Sequence, residues 1–309
     1  MTDLFQRASS RWTKYSKYEV KEAADGTRYV RPAPLAFPIV YDPLEDTEAL
    51  VVDALNLGMS QMGGKKDKNV THAALLEFVH KYGLLGFITA LPTTPSFMEY
   101  DAVYFPKNLF IKAESMKTRE YAELFFPFEK LEFEKREKTI IFQQEHDGKL
   151  TFPPVMFRNK PQAMNMSFER GYAERYDWLL QQFKDWGFTF LSSFLYYHDY
   201  DRLTESEKNV YRWGMSAFGG IAPTYHIELL DSPTIVWEFY SLQLCVQTMF
   251  GFTLTDKANP LRMCRHCEKM FIARHPNAAF CSPQCKNQHN VYKSRAKKAE
   301  GEKGAEKGS

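Results

Sequence analysis

Apolar residues recur at helical spacing in several stretches of the chain, with polar residues between them. Leu44, Val51 and Leu55 step toward Gly58. Leu75, Leu76, Val79 and Tyr82 follow a Thr71 cap and close at Gly83. A long helix is expected over 165–186, because Phe168, Tyr172, Tyr176, Leu179, Phe183 and Trp186 share one face. The capping-box order Thr204-Glu205-Ser206-Glu207 starts another. From Ser232-Pro233 to Gly251, Ile235, Phe239, Leu242, Val246 and Met249 recur at three- and four-residue steps, which predicts a further long helix. Cys245 falls inside it as a small core residue.

Strand signals are fewer. Tyr18, Val20 and Glu22 alternate, Asp25-Gly26 supplies a turn, and Arg28 to Arg31 return, the pattern of a hairpin. Residues 31–38 carry three prolines and read as a connection, and 60–70 as a polar loop. Segments 100–112 and 139–152 read as extended, the second with its own Asp-Gly turn. The expected fold is α+β: a mainly helical N-terminal domain over 1–255, a small finger over 260–298, and a disordered tail over 299–309 rich in Lys, Glu and Gly. A hydrophobic content of 44% is enough for a substantial core. The longest apolar run, Tyr82 to Pro92, has 11 residues and two glycines, too short for a membrane span. The first twenty residues have no apolar core of a secretory signal. These features predict a cytoplasmic protein with no membrane partner.

Cysteine placement adds a candidate chemistry. Four of the five cysteines fall within 264–285, as Cys264-x2-Cys267 and Cys281-x3-Cys285. Two short-spaced pairs about a dozen residues apart are the sequence form of a structural zinc site. Ser282-Pro283 reads as a helix cap and first position, so Cys281 and Cys285 sit about one turn apart at a helix start, where the backbone favours thiolate. One structural Zn2+ is the reading the spacing favours; two disulfides, free thiols or a redox pair are the alternatives. Catalytic zinc is disfavoured, because four protein thiolates leave no open position. His266, His275 and His289 read as surface residues or phosphate contacts.

The near-neutral net charge of +2 hides an asymmetry. Residues 257–309 hold twelve Lys/Arg against four Asp/Glu, while 1–256 hold 28 against 34. On the helix after Cys281, one face carries Cys281, Cys285, Tyr292 and Ala296 and is expected to pack on the metal and the hairpin. Lys286, Asn290, Lys293 and Lys297 form a separate line, which Arg295 and Lys298 extend. Arg265, Lys269 and Arg274 can complete the surface from the first half of the finger. Lysines supply charge to phosphates, and Asn reaches phosphate or adenine. Nucleic acid, DNA ahead of RNA, is the expected partner; a protein-interaction finger, or one that only caps the large domain, is the alternative. A single finger of this charge binds weakly and with strong salt dependence. Useful affinity then calls for a homodimer or a second contact from the N-terminal domain.

The finger resembles the CGNR-type zinc fingers of bacterial transcription regulators. The shared features are the cysteine pairs, Phe271, Phe280-Cys281-Ser282, Cys285 with Asn287, and the basic helix ending with Arg295. The resemblance covers about 35 of 309 residues. Cys285-Lys286-Asn287-Gln288 stands where that family has Cys-Gly-Asn-Arg, and the first pair is more closely spaced, so the finger is similar to that family or to another treble-clef-like hairpin-plus-helix. The resemblance implies DNA binding.

No phosphate-loop, dinucleotide, zinc-protease or nucleophile-elbow motif occurs. His146-Asp147, His198-Asp199 with Asp201, and Glu77 with His80 are the candidate acid–base or metal pairs, and each reads as ordinary polar surface. The chain is expected not to be an enzyme.

Overall fold

The chain begins in short strands, turns helical, and returns to hairpins before its last helix. The structure, a computed structural model, describes residues 8–9, 11–62, 68–106, 108–131, 145–146, 149–150, 162–216, 222–275 and 277–306. First come β1 (Ala8–Ser9), β2 (Trp12–Tyr15), β3 (Tyr18–Glu22), β4 (Arg28–Pro32) and β5 (Pro38–Tyr41). Helices α1 (Thr47–Ser60), α2 (Lys68–Tyr82) and α3 (Phe87–Ala90) follow, then β6 (Ala102–Tyr104), β7 (Ser115–Lys117) and α4 (Thr118–Glu123). After β8 (Glu145–His146), β9 (Lys149–Leu150), α5 (Gln162–Met166) and β10 (Glu174–Arg175) come α6 (Tyr176–His198) and α7 (Glu205–Ser216). Last come β11 (Thr224–Leu229), β12 (Pro233–Glu238), α8 (Leu242–Thr255), β13 (Leu261–Met263), β14 (Met270–Ile272) and α9 (Pro283–Glu306). The sheets are small: β1-β12-β11 and β10-β4-β3, with pairs β2-β5, β6-β7, β8-β9 and β13-β14. The architecture is α+β.

Two glycines decide how the central helices meet. α1 crosses α6 where Gly58 faces Gly187. A Cβ on Gly58 would lie 2.0 Å from the Phe183 carbonyl oxygen, and one on Gly187 would lie 2.8 Å from the Gly58 carbonyl carbon. Bare backbone permits this approach. Leu50, Val51, Ala54 and Leu55 of α1 then share one buried cluster with Leu179, Phe183 and Trp186 of α6.

The second organising feature is a buried carboxylate. Glu174 is fully buried and accepts the backbone N–H groups of Leu85, Gly86 and Phe87 at 2.8, 2.6 and 2.8 Å. The Tyr172 hydroxyl donates to it at 2.7 Å. Gly86, at φ +75°, lets the chain wrap around the carboxylate ahead of α3. Burial pushes the Glu174 carboxyl up, and these four donors pull it back.

The structure corrects several sequence expectations. The segment 165–186 is not one helix: α5 ends at Met166, β10 pairs with β4, and α6 begins only at Tyr176. The helix expected from Ser232 is strand β12 as far as Glu238, and α8 starts after Ser241, whose Oγ accepts the Leu244 N–H at 3.0 Å. Cys245 is nonetheless fully buried there. Thr71 lies inside α2, which begins at Lys68. Gly83 does end it, at φ +88° with its N–H on the Val79 carbonyl. Among the described residues of 100–112, only Ala102–Tyr104 is strand. α9 runs on to Glu306, through positions where disorder is expected. The second Asp-Gly turn lies outside the described residues. Among the described residues, no helix is long and apolar enough to cross a membrane.

One carboxyl makes stability depend on pH. Burial holds half-buried Glu169 up at about 7, against an ordinary 4.5. Between those values the folded protein keeps a proton that the unfolded chain releases. That contribution is full below about pH 4.5 and lost as pH rises through about 7. Glu169→Gln should therefore stabilise the protein by about 1 kcal/mol at pH 8, after discounting for partial exposure, and be neutral near pH 4. Thermal melts of both forms at the two pH values check this; equal shifts at both would refute it.

Candidate metal centre

The first cysteine pair is set by a hairpin. β13 and β14 pair antiparallel, with Leu261 opposite Ile272 and Met263 opposite Met270. The connecting turn brings the Cys264 N–H to the Lys269 carbonyl and the Glu268 N–H to the Cys264 carbonyl, each at 2.9 Å. Glu268 takes φ +59°, the left-handed position that closes the turn. The second pair is set by a helix start. The Ser282 Oγ accepts the Cys285 N–H at 3.2 Å, and Pro283 is the first residue of α9. The Arg265 N–H on the Ala279 carbonyl, at 3.0 Å, ties the two halves together.

These elements bring the Sγ atoms of Cys264, Cys267, Cys281 and Cys285 within 4.8 Å of one another. Cys267 to Cys281 is 3.6 Å and Cys281 to Cys285 is 3.5 Å. A tetrahedron with metal–sulfur bonds of about 2.3 Å has edges of about 3.8 Å, so the set fits one thiophilic ion in four-coordinate geometry. Cys264 is buried, Cys281 exposed, and the other two half-buried. Burial pushes the Cys264 thiol up, but N–H groups of Cys267, Cys281 and His266 outweigh it and hold it down at about 6. The Cys281 thiol is pushed up to about 12 by burial and by the sulfurs beside it. Four such neighbours become thiolates together only around a cation.

The hairpin, with Arg274 just after it, is docked on α1. The Asn56 side chain of α1 accepts the Met270 N–H at 2.7 Å and donates to the Met270 carbonyl at 3.3 Å, acting as an extra strand on the outer edge of β14. Met270 belongs to the main buried cluster. The Arg274 guanidinium pairs with the Glu48 carboxylate through both nitrogens.

The residues expected to meet nucleic acid divide. Lys286, Asn290, Lys293 and Arg295 are exposed along α9, and Arg265 and Lys269 are exposed at the turn. Among the described residues none of the five cations in that set forms an ion pair; Arg274 does, with Glu48. Lys297 falls on α9, but its side chain is outside the described residues. Tyr292 remains 60% exposed and stacks on His266 at 5.7 Å rather than burying against the cysteines. The His266 ring also bonds Gln288 at 2.8 Å, and Phe280 packs on His289 at 5.1 Å. These contacts brace α9 against the turn. The His266 contacts join residues 22 and 26 positions apart and the Phe280–His289 contact residues nine apart, so ligand-type spacing does not signal them. The pair His198–Asp199 is an exposed contact at 3.0 Å, at the end of α6.

Comparison with protein-family models, with curated proteins and with solved structures finds no match to this chain.

Proposed function

We propose that the protein is a zinc-finger nucleic-acid-binding protein, with zinc held by Cys264, Cys267, Cys281 and Cys285, acting on duplex DNA as a transcription regulator. The observation that carries this reading is the exposed line of Lys286, Asn290 and Lys293, with Arg295 also exposed farther along the same helix, on an α9 braced to the cysteine cluster. Zinc would fix the start of α9. The helix would lie along the phosphate backbone, its cations contributing charge and Asn290 a hydrogen bond to phosphate or adenine. Arg265 and Lys269 extend the contact from the turn. The resemblance of the finger to the CGNR type points the same way.

Fluorescence anisotropy on labelled duplex DNA and single-stranded RNA, across a salt series, tests this. The triple variant Lys286→Gln, Lys293→Gln, Arg295→Gln should weaken binding. It should flatten the log K against log[salt] slope by about 0.9 for each duplex phosphate contact removed. A preference for RNA would turn the reading into an RNA-binding factor. No binding by the intact chain at low salt would sink both.

One observation favours a second reading. Asn56 clamps Met270, and Glu48 takes up Arg274, so the finger also serves as a cap on α1. If capping is its whole role, the triple variant changes neither binding nor fold.

A further inference from the structure

The hairpin β11–β12 carries its apolar row outward. Tyr225, Ile227 and Leu229 are 60%, 61% and 83% exposed. His226 and Glu228 lie on the other face, with Val236, which is buried. β11 is also an edge: the sheet order is β1-β12-β11, and no described strand pairs with its far side. An exposed apolar edge invites another strand.

Register shows which backbone groups that edge offers. Leu229 stands opposite Pro233, which has no N–H, so this is a pair without ladder bonds. Alternation then makes Ile227–Ile235 and Tyr225–Trp237 non-bonded pairs as well. The N–H and C=O groups of Tyr225, Ile227 and Leu229 therefore point away from β12.

We propose that β11 pairs antiparallel with β11 of a second copy of this chain, about a two-fold axis at Ile227. Ile227 then exchanges both backbone bonds with the partner's Ile227, and Tyr225 with the partner's Leu229, using the outward groups. Side chains agree with this register. Tyr225 meets the partner's Leu229, apolar on apolar. His226, which in its own chain contacts Glu228 at 3.1 Å and Glu238 at 3.4 Å, stands opposite the partner's Glu228, a polar pair able to hydrogen-bond across the strands. Shifting the register by one residue sets Tyr225 against Glu228 and Leu229 against Thr224 in one direction, and Leu229 against His226 and Ile227 against Glu228 in the other. The interface is isologous, so it closes at two copies. It does not depend on the nucleic-acid reading, and its test contains no nucleic acid.

Sedimentation velocity on the full chain across a dilution series tests the pairing. A dimer that dissociates on dilution is expected. Ile227→Pro removes an outward N–H without touching a β11–β12 ladder bond, so it should give monomer at concentrations where the parent is dimeric, with an unchanged far-UV spectrum. His226→Glu should also weaken the dimer by setting like charges across the axis, and adding Glu228→Lys should restore it. A parent that is monomeric throughout, including one that takes up a different chain at this edge, overturns the proposal. So does a dimer that survives Ile227→Pro, because its interface lies elsewhere.

Discussion

Glu174→Ala is expected to cost about 3–5 kcal/mol of stability, the sum expected when several buried donors lose their only acceptor and relax in part. Three backbone N–H groups and the Tyr172 hydroxyl converge on this carboxylate. Without it they remain buried with nothing to accept them. Native domains are stable by only about 5–15 kcal/mol, so the variant should sit near the edge of folding. Glu174→Gln keeps one acceptor oxygen but turns an amide NH2 toward N–H donors, and should cost about 2–3 kcal/mol. Urea unfolding of the three proteins measures both values. Two variants within about 1 kcal/mol of the parent would mean the clasp around Leu85–Phe87 contributes little.

The same residue shows where sequence reading stops. Phe168, Tyr172, Tyr176, Leu179, Phe183 and Trp186 have helical spacing and all are buried. The pattern reported burial correctly and the element wrongly, because the first two belong to the turn after α5. What interrupts the helix is Glu174, whose nearest backbone partner in this clasp is 87 positions away, and no local signal reports that. The run 233–238 failed for a related reason. Ile235 is 51% exposed beside Val236 at 7%, a period of two hidden inside a spacing that also suits a helix. Gly58, the residue toward which the apolar positions step, is a helix contact within α1, and only the neighbouring helix reveals why a side chain is excluded there. The elements that were legible are governed locally. The first hairpin turns at Gly26, φ +81°, with Asp25 accepting from the Thr27 N–H at 2.9 Å. The capping box at Thr204 and Glu207 is reciprocal, at 2.8 and 3.3 Å. The cysteine cluster was the most legible of all, because ligand spacing, a tight turn and a helix cap are all written within 22 residues.

Removing the metal is expected to have the largest effect on the finger. Structural zinc sites contribute about 10–16 kcal/mol of apparent binding free energy near neutral pH, far more than so small a hairpin and helix could recover by packing. Protein purified without chelator should carry one zinc per chain by elemental analysis. Cobalt in its place should show thiolate-to-metal charge-transfer absorption, which reports sulfur ligands directly. Cys281→Ser should abolish both signals and leave the remaining thiols open to modification. Because ligands must be thiolates, binding releases protons, so affinity should fall as pH is lowered. The damage should also spread beyond the finger. Met270 is part of the main buried cluster and its backbone is held by Asn56, so loosening β14 exposes core at α1. A chelator should then lower the melting temperature of the whole protein, and Asn56→Ala should uncouple the two by letting the finger open while the body melts nearly as before. Native protein that holds no metal, with a melt indifferent to chelator, would leave the four sulfurs as a cluster of thiols and remove the basis for placing α9 against nucleic acid.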